Sequence, residues 1–161
     1  NVVATASRSS SKNWCKKMGA DFVIEHSNLL AQFLQHKIDL PDFILCMGIP
    51  DDYMNAMLKL IKPQGSICLL ANFNNLYDVN LLKSKSITLA WEMMFTKSMY
   101  NTDDILEQHN ILNNIAALID NNKILSILHN SLSAINRENI IKAHRMIERG
   151  DTIGKTIITN D

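Results

Sequence analysis

Residues 2–25 constrain the fold more than any other part of the chain. The apolar, β-branched run Val2-Val3-Ala4-Thr5 ends at the small and polar residues Ala6, Ser7 and Arg8. A helical interval then reaches Lys17-Met18-Gly19, and a second apolar run, Phe22-Val23-Ile24, starts just after Asp21. Strand, helix and strand in this rhythm predict a parallel sheet crossed by helices. Within the interval, Ser9-Ser10-Ser11 are expected to cap a helix that buries Trp14, Cys15 and Met18. Gly19 suits the left-handed stop that ends it.

The alternation continues downstream. Ser27 is expected to cap a helix with Leu29, Leu30, Phe33 and Leu34 at helical spacing, which Pro41 cannot extend. Phe43-Ile44-Leu45-Cys46-Met47 is unbroken in its apolarity, as in a strand covered on both faces. Pro50, Asp51 and Asp52 suit the first turn of a helix whose buried stripe is Met54, Met57, Leu58 and Ile61. The turn Lys62-Pro63-Gln64-Gly65 leads into a strand over residues 66–71, and residues 86–91 predict another. A long helix is expected from Thr102, with Asp103 and Asp104 at its positive end and Ile105, Leu106, Leu112, Ile115, Ala116 and Ile119 buried. Beyond Lys123 the pattern gives a strand over 124–128, a helix over 137–149 stopped by Gly150, and a strand over 155–159.

Length and charge narrow the classes. The chain has 161 residues, enough for one domain with a real core. Lys plus Arg equal Asp plus Glu at 16 each, so no basic field invites nucleic acid or an anionic membrane. Cys15, Cys46 and Cys68 are odd in number and lack Cys-x-x-Cys spacing, which argues for a reducing, cytoplasmic setting over a disulfide framework or structural zinc. No apolar run approaches the roughly 20 residues of a spanning helix.

Searches for local chemical motifs are mostly negative. Gly-x-Gly-x-x-Gly, the phosphate-binding Gly-x-x-x-x-Gly-Lys-Ser/Thr, His-Glu-x-x-His and Gly-x-Ser-x-Gly are absent, and no tyrosine has a lysine four places on. His26, His36, His109, His129 and His144 are dispersed, and Met54 and Met57 fit a helix core rather than a metal site. No acid–base pair stands out.

A collinear set of segments is more specific. Val3-Ala4-Thr5-Ala6-Ser7-Arg8 with residues 14–24, then Leu60-Ile61-Lys62-Pro63-Gln64-Gly65, resembles the medium-chain dehydrogenase/reductase superfamily. Leu82-Lys83-Ser84-Lys85-Ser86, Trp91-Glu92, Met94-Phe95-Thr96, Ser98-Met99-Tyr100, Ala143-His144 and Thr152-Ile153-Gly154-Lys155 narrow the resemblance to its zinc-type alcohol dehydrogenase-like proteins, neighbours of the NADPH quinone oxidoreductases. The resemblance implies an α/β, Rossmann-type doubly wound parallel sheet with strand order 3-2-1-4-5-6. It implies that this chain starts at the second strand and lacks the first, which would leave two half-sheets. Residues 1–122 would then be most of the cofactor domain, and 123–161 a segment returning to the catalytic domain. Without the first strand and its phosphate turn, the chain on its own is not expected to turn over.

The cofactor follows from the resemblance together with charge. A site for NAD places an acid at the end of the second strand to bind the ribose 2′-hydroxyl, and that acid would repel a 2′-phosphate. Here Ser7 and Arg8 stand there instead, with no acid before Asp21 and with Lys12 as a second cation. A guanidinium offers paired donors to phosphate, so the expected cofactor is NADPH. His26 falls where the quinone reductases carry a tyrosine beside that phosphate. By the same analogy Cys46 and Met47, and Leu70, Ala71 and Asn72, would line the cofactor at the strand ends, the last three nearest the nicotinamide. The implied reaction is hydride transfer to a quinone, enone or carbonyl substrate without a metal. A non-catalytic NADPH-binding sensor is the alternative, and a methyltransferase is disfavoured because it too would want the missing acid. The resemblance also implies a homodimer through the strand near residues 86–91.

Overall fold

The structure, a computed structural model, describes residues 1–160. It divides into two compact units, one formed by Asn1–Val23 with the stretch from Leu106 onward, the other by Ile24–Ile105.

In the first unit β1 (Val3–Thr5) pairs with β2 (Phe22–Ile24), whose last residue opens the second unit, and α1 (Ser9–Lys17) connects the two strands. Gly19 has a φ of +103°, the left-handed conformation expected of the stop. The cap at the other end of α1 is not a serine. Arg8 takes that position in extended conformation, and the Ser11 hydroxyl donates back to the Arg8 carbonyl at 2.9 Å. The same unit holds α5 (Glu107–Asp120), β6 (Leu128–Ser133), α6 (Arg137–Glu148) and β7 (Lys155–Thr159), with β6 and β7 parallel. The helix over 137–148 and the strand over 155–159 match expectation, and Gly150 stops the helix at φ +64°.

Three expectations fail around this unit. The strand expected at 124–128 lies at 128–133 instead, because pairing with β7 selects Asn130, Leu132 and their neighbours over the more apolar run before them. The helix expected from Thr102 begins at Glu107; Thr102 and Lys97 instead engage the Asp104 carboxylate in a turn, after a short α4 (Thr96–Tyr100) that carries no clear sequence signal. The apolar stripe of α5 is exposed rather than buried, with Leu112 66% accessible.

The second unit is built on β3 (Phe43–Cys46), β4 (Ser66–Leu69) and β5 (Thr88–Trp91), parallel and in that order. The sheet orders β1-β2 and β3-β4-β5 agree with a Rossmann-type arrangement whose halves are separate sheets. α3 (Met54–Leu60) bridges β3 and β4, and its Met54, Met57 and following Ile61 bury against Ile67 and Leu69 as the spacing predicts. α2 (Leu29–Gln35) buries Phe33, while its cap position belongs to Asn28 in left-handed conformation rather than to Ser27. β3 is not covered on both faces: Ile44 and Cys46 point to the core, but Phe43 is 80% exposed and Leu45 and Met47 are exposed with it. Among the described residues no helix is long and apolar enough to cross a membrane.

Candidate functional site

Ser7, Arg8 and Lys12 lie in the first unit, at the exit of β1 and the entry to α1. Ser7 and Arg8 are exposed. One guanidinium nitrogen of Arg8 donates to the Asp151 carbonyl at 3.2 Å, a single exposed contact that leaves the other donors of the fork available to a ligand. No acid stands in the first turn of α1. The next acid along the chain, Asp21, is held at the opposite end of β1, where its Oδ2 accepts from the Val2 amide at 2.6 Å. The strand end therefore presents a cation and a hydroxyl, and the one acid between residues 2 and 24, Asp21, is held at the other end of the strand.

The other six candidates belong to the second unit. His26 is exposed, its ring 6.4 Å from that of Tyr53. Cys46 and Leu70 are brought together: the Leu70 amide donates to the Cys46 carbonyl at 3.2 Å, joining the carboxyl ends of β3 and β4. Met47, Leu70 and Asn72 are exposed at these ends, and Ala71 is half-buried. The Cys46 thiol is buried, which pushes its pKa up, against a smaller opposing pull from the Gly48 backbone. A buried thiol with a raised pKa serves packing rather than nucleophilic chemistry.

Two features at the same strand ends escape a reading of the sequence. Asp51, in a 3₁₀ turn Pro50–Asp52, sends its carboxylate across to the loop after β4, where it accepts from the Asn74 and Asn75 amides. The Asn74 bond is the main reason its pKa is lowered, against partial desolvation and with help from Asn75. Phe73 stacks on Tyr77 at 5.4 Å and meets Trp91 edge-on at 6.0 Å. The Tyr77 hydroxyl is buried with no hydrogen-bond partner among the described residues. Acid after proline reads as a helix start, and the aromatics are too widely spaced in sequence to signal a cluster.

Among the described residues no three His, Cys, Asp or Glu side chains converge as a metal site would require, so these residues do not fit zinc.

A family sequence profile described as zinc-binding dehydrogenase matches residues 18–158. A zinc-type alcohol dehydrogenase-like protein of Staphylococcus aureus strain MSSA476 is 39% identical over 158 residues, which cover 98% of this chain and 47% of that protein. The chain thus spans about half the length of the curated relatives it matches. A Rhizobium etli CFN 42 structure described as a zinc-dependent alcohol dehydrogenase protein superposes with a TM-score of 0.88 at 35% identity, covering 99% of this chain and 47% of that one. A mycobacterial protein complexed with NADPH superposes at 0.75 with 17% identity, over 98% of this chain and 48% of its own, a likeness of fold. On the extent of the profile match and of these alignments, the chain belongs to the zinc-binding dehydrogenase family.

Proposed function

We propose that the protein is an NADPH-dependent oxidoreductase that passes hydride to a quinone, or to the carbonyl or activated double bond of an enone. The observation that carries the cofactor choice is the exit of β1, where Ser7 and Arg8 stand exposed and the nearest following acid is engaged at the far end of the strand. Ser7, Arg8 and Lys12 would hold the 2′-phosphate. In the second unit, Cys46, Met47, Leu70 to Asn72 and His26 would be the residues that meet the cofactor. The cofactor would supply the hydride, and the protein's task is to orient donor and acceptor. Three free cysteines fit a reducing cytoplasm.

Titration of the full-length parent protein with NADPH and NADH tests the assignment. A charge-assisted contact is worth about 1.5–3 kcal/mol, so Arg8→Ala should weaken NADPH roughly ten- to a hundredfold and leave NADH nearly unchanged. Equal affinity of the wild-type protein for the two cofactors would refute it.

We also infer a homodimer through β5, which among the described residues pairs only with β4 and so leaves an edge open. The amides of Thr88 and Glu92 both point to β4, bonding Gly65 and Leu69. By alternation, Leu89 and Trp91 direct theirs to the free edge. Proline at Thr88 would therefore damage the sheet itself, whereas Trp91→Pro removes an outward donor. Light scattering should show a dimer for the wild type and Trp91→Phe, and a monomer for Trp91→Pro. A monomeric wild type at micromolar concentration would remove the idea.

A further inference from the structure

Asp51 occupies a turn where an acid ordinarily serves the helix that follows. Its carboxylate is instead spent on a neighbouring loop. Oδ2 accepts from the Asn74 amide at 2.9 Å, and Oδ1 accepts from the Asn75 amide and the Asn75 side-chain nitrogen, each at 3.0 Å. The backbone beneath it is firm, because Pro50 is fully buried and its carbonyl accepts from the Tyr53 amide at 3.0 Å. At its other end the same loop is tied by the bond from Leu70 to Cys46. Residues 71–73 thus form an arch fastened at both ends to the segment around and after the end of β3, with Phe73 pinned further by Tyr77 and Trp91. The arch stands at the carboxyl ends of two adjacent parallel strands, the place where open α/β sheets receive ligands.

We propose that Asp51 is a positioning residue that latches the 71–73 arch in the shape that receives the nicotinamide half of the dinucleotide. The inference rests on the cofactor reading above, which gives Leu70, Ala71 and Asn72 to that half. An exposed loop of this length, freed from the carboxylate, would have its amides met by water and would sample many shapes. Holding it in one shape beforehand removes an ordering cost from binding. Asp51 touches neither cofactor nor substrate in this scheme; it acts through the loop.

The experiment compares two ligands in wild-type protein, Asp51→Ala and Asp51→Asn. NADPH carries both halves, whereas adenosine 2′,5′-bisphosphate carries the 2′-phosphate and no nicotinamide. Asp51→Ala is expected to weaken NADPH roughly tenfold, leave the bisphosphate unchanged, and speed hydrogen exchange at Asn74 and Asn75. Asp51→Asn, which keeps one acceptor oxygen, should fall between. Unchanged NADPH affinity in Asp51→Ala would overturn the latch alone, and so would equal losses for both ligands, which mark general damage. A wild type that binds neither ligand would overturn the cofactor reading and this inference with it.

Discussion

Gly154→Ala is expected to cost the fold about 3 kcal/mol, with two separate causes adding. Gly154 sits at φ +62°, where a side chain is strained by about 1–2 kcal/mol. A Cβ there would also stand 2.4 Å from the Ile127 carbonyl oxygen, 2.9 Å from the His129 Cβ and 3.1 Å from Trp14 Cζ2. The first of these cannot yield easily. The Ile127 carbonyl accepts from the Lys155 amide at 2.8 Å, so retreat would disturb the bond where β7 begins. The second neighbour is held by Trp14, whose ring meets that of His129 edge-on at 5.0 Å. Gly150→Ala is the matched control: its φ is +64°, but a Cβ there meets nothing within 4 Å. In thermal unfolding Gly154→Ala should lose about 6–12 °C and Gly150→Ala roughly one to two thirds of that. Equal losses for the two would show that the crowding at Gly154 is not real.

The elements easiest to read in the sequence are those with local causes. Pro50, Gly19, Gly150 and the apolar stripe of α3 fix their elements by backbone geometry and spacing alone, and the structure keeps them. The failures have a different origin. β6 is chosen by its partner β7 over a more apolar neighbouring run, a decision no local pattern carries. The apolar stripes of α5 and of one face of β3 satisfy every rule for burial yet are exposed, because nothing among the described residues covers them. Ser9 to Ser11 have the right chemistry for a cap, but the chain enters α1 one residue too early to use them.

The candidate site divides in the same way. The position of Ser7 and Arg8 at a strand exit was legible because a strand end followed by a helix defines its own exit, and charge at that exit is a property of the sequence. The region at the carboxyl ends of β3 and β4 was legible only as strand ends. What shapes it is non-local: Asp51 reaches across 23 and 24 positions to Asn74 and Asn75, and Phe73 meets Trp91 from the next strand. An acid beside a proline carries a strong helix-start signal, and that signal hid the bonds Asp51 makes to Asn74 and Asn75.

Lys85→Met is expected to destabilise the protein by about 2–3 kcal/mol, with the loss centred on α3. The Lys85 ammonium donates to the carbonyls of Leu58 at 2.7 Å, Lys59 at 3.1 Å and Ile61 at 2.7 Å. These groups lie at the negative end of α3, where the turn to extended backbone at Ile61 and then Pro63 leaves carbonyls without helical partners. Methionine keeps most of the apolar stem but offers no donor, so two part-buried carbonyls and one exposed carbonyl lose their partner together. Lys85→Arg should recover only part of the loss, because a planar fork cannot point three donors at oxygens grouped around one helix end. Urea unfolding reads both changes, and a Lys85→Met variant within about 0.5 kcal/mol of wild type would show that water satisfies these carbonyls equally well. The effect bears on function through position. α3 is held at its carboxyl end by Lys85, and the turn leading into its amino end carries Asp51, so its seating sets where the carboxylate meets the loop after β4. Loosening the far end should therefore also speed amide exchange at Asn74 and Asn75, although neither residue touches Lys85.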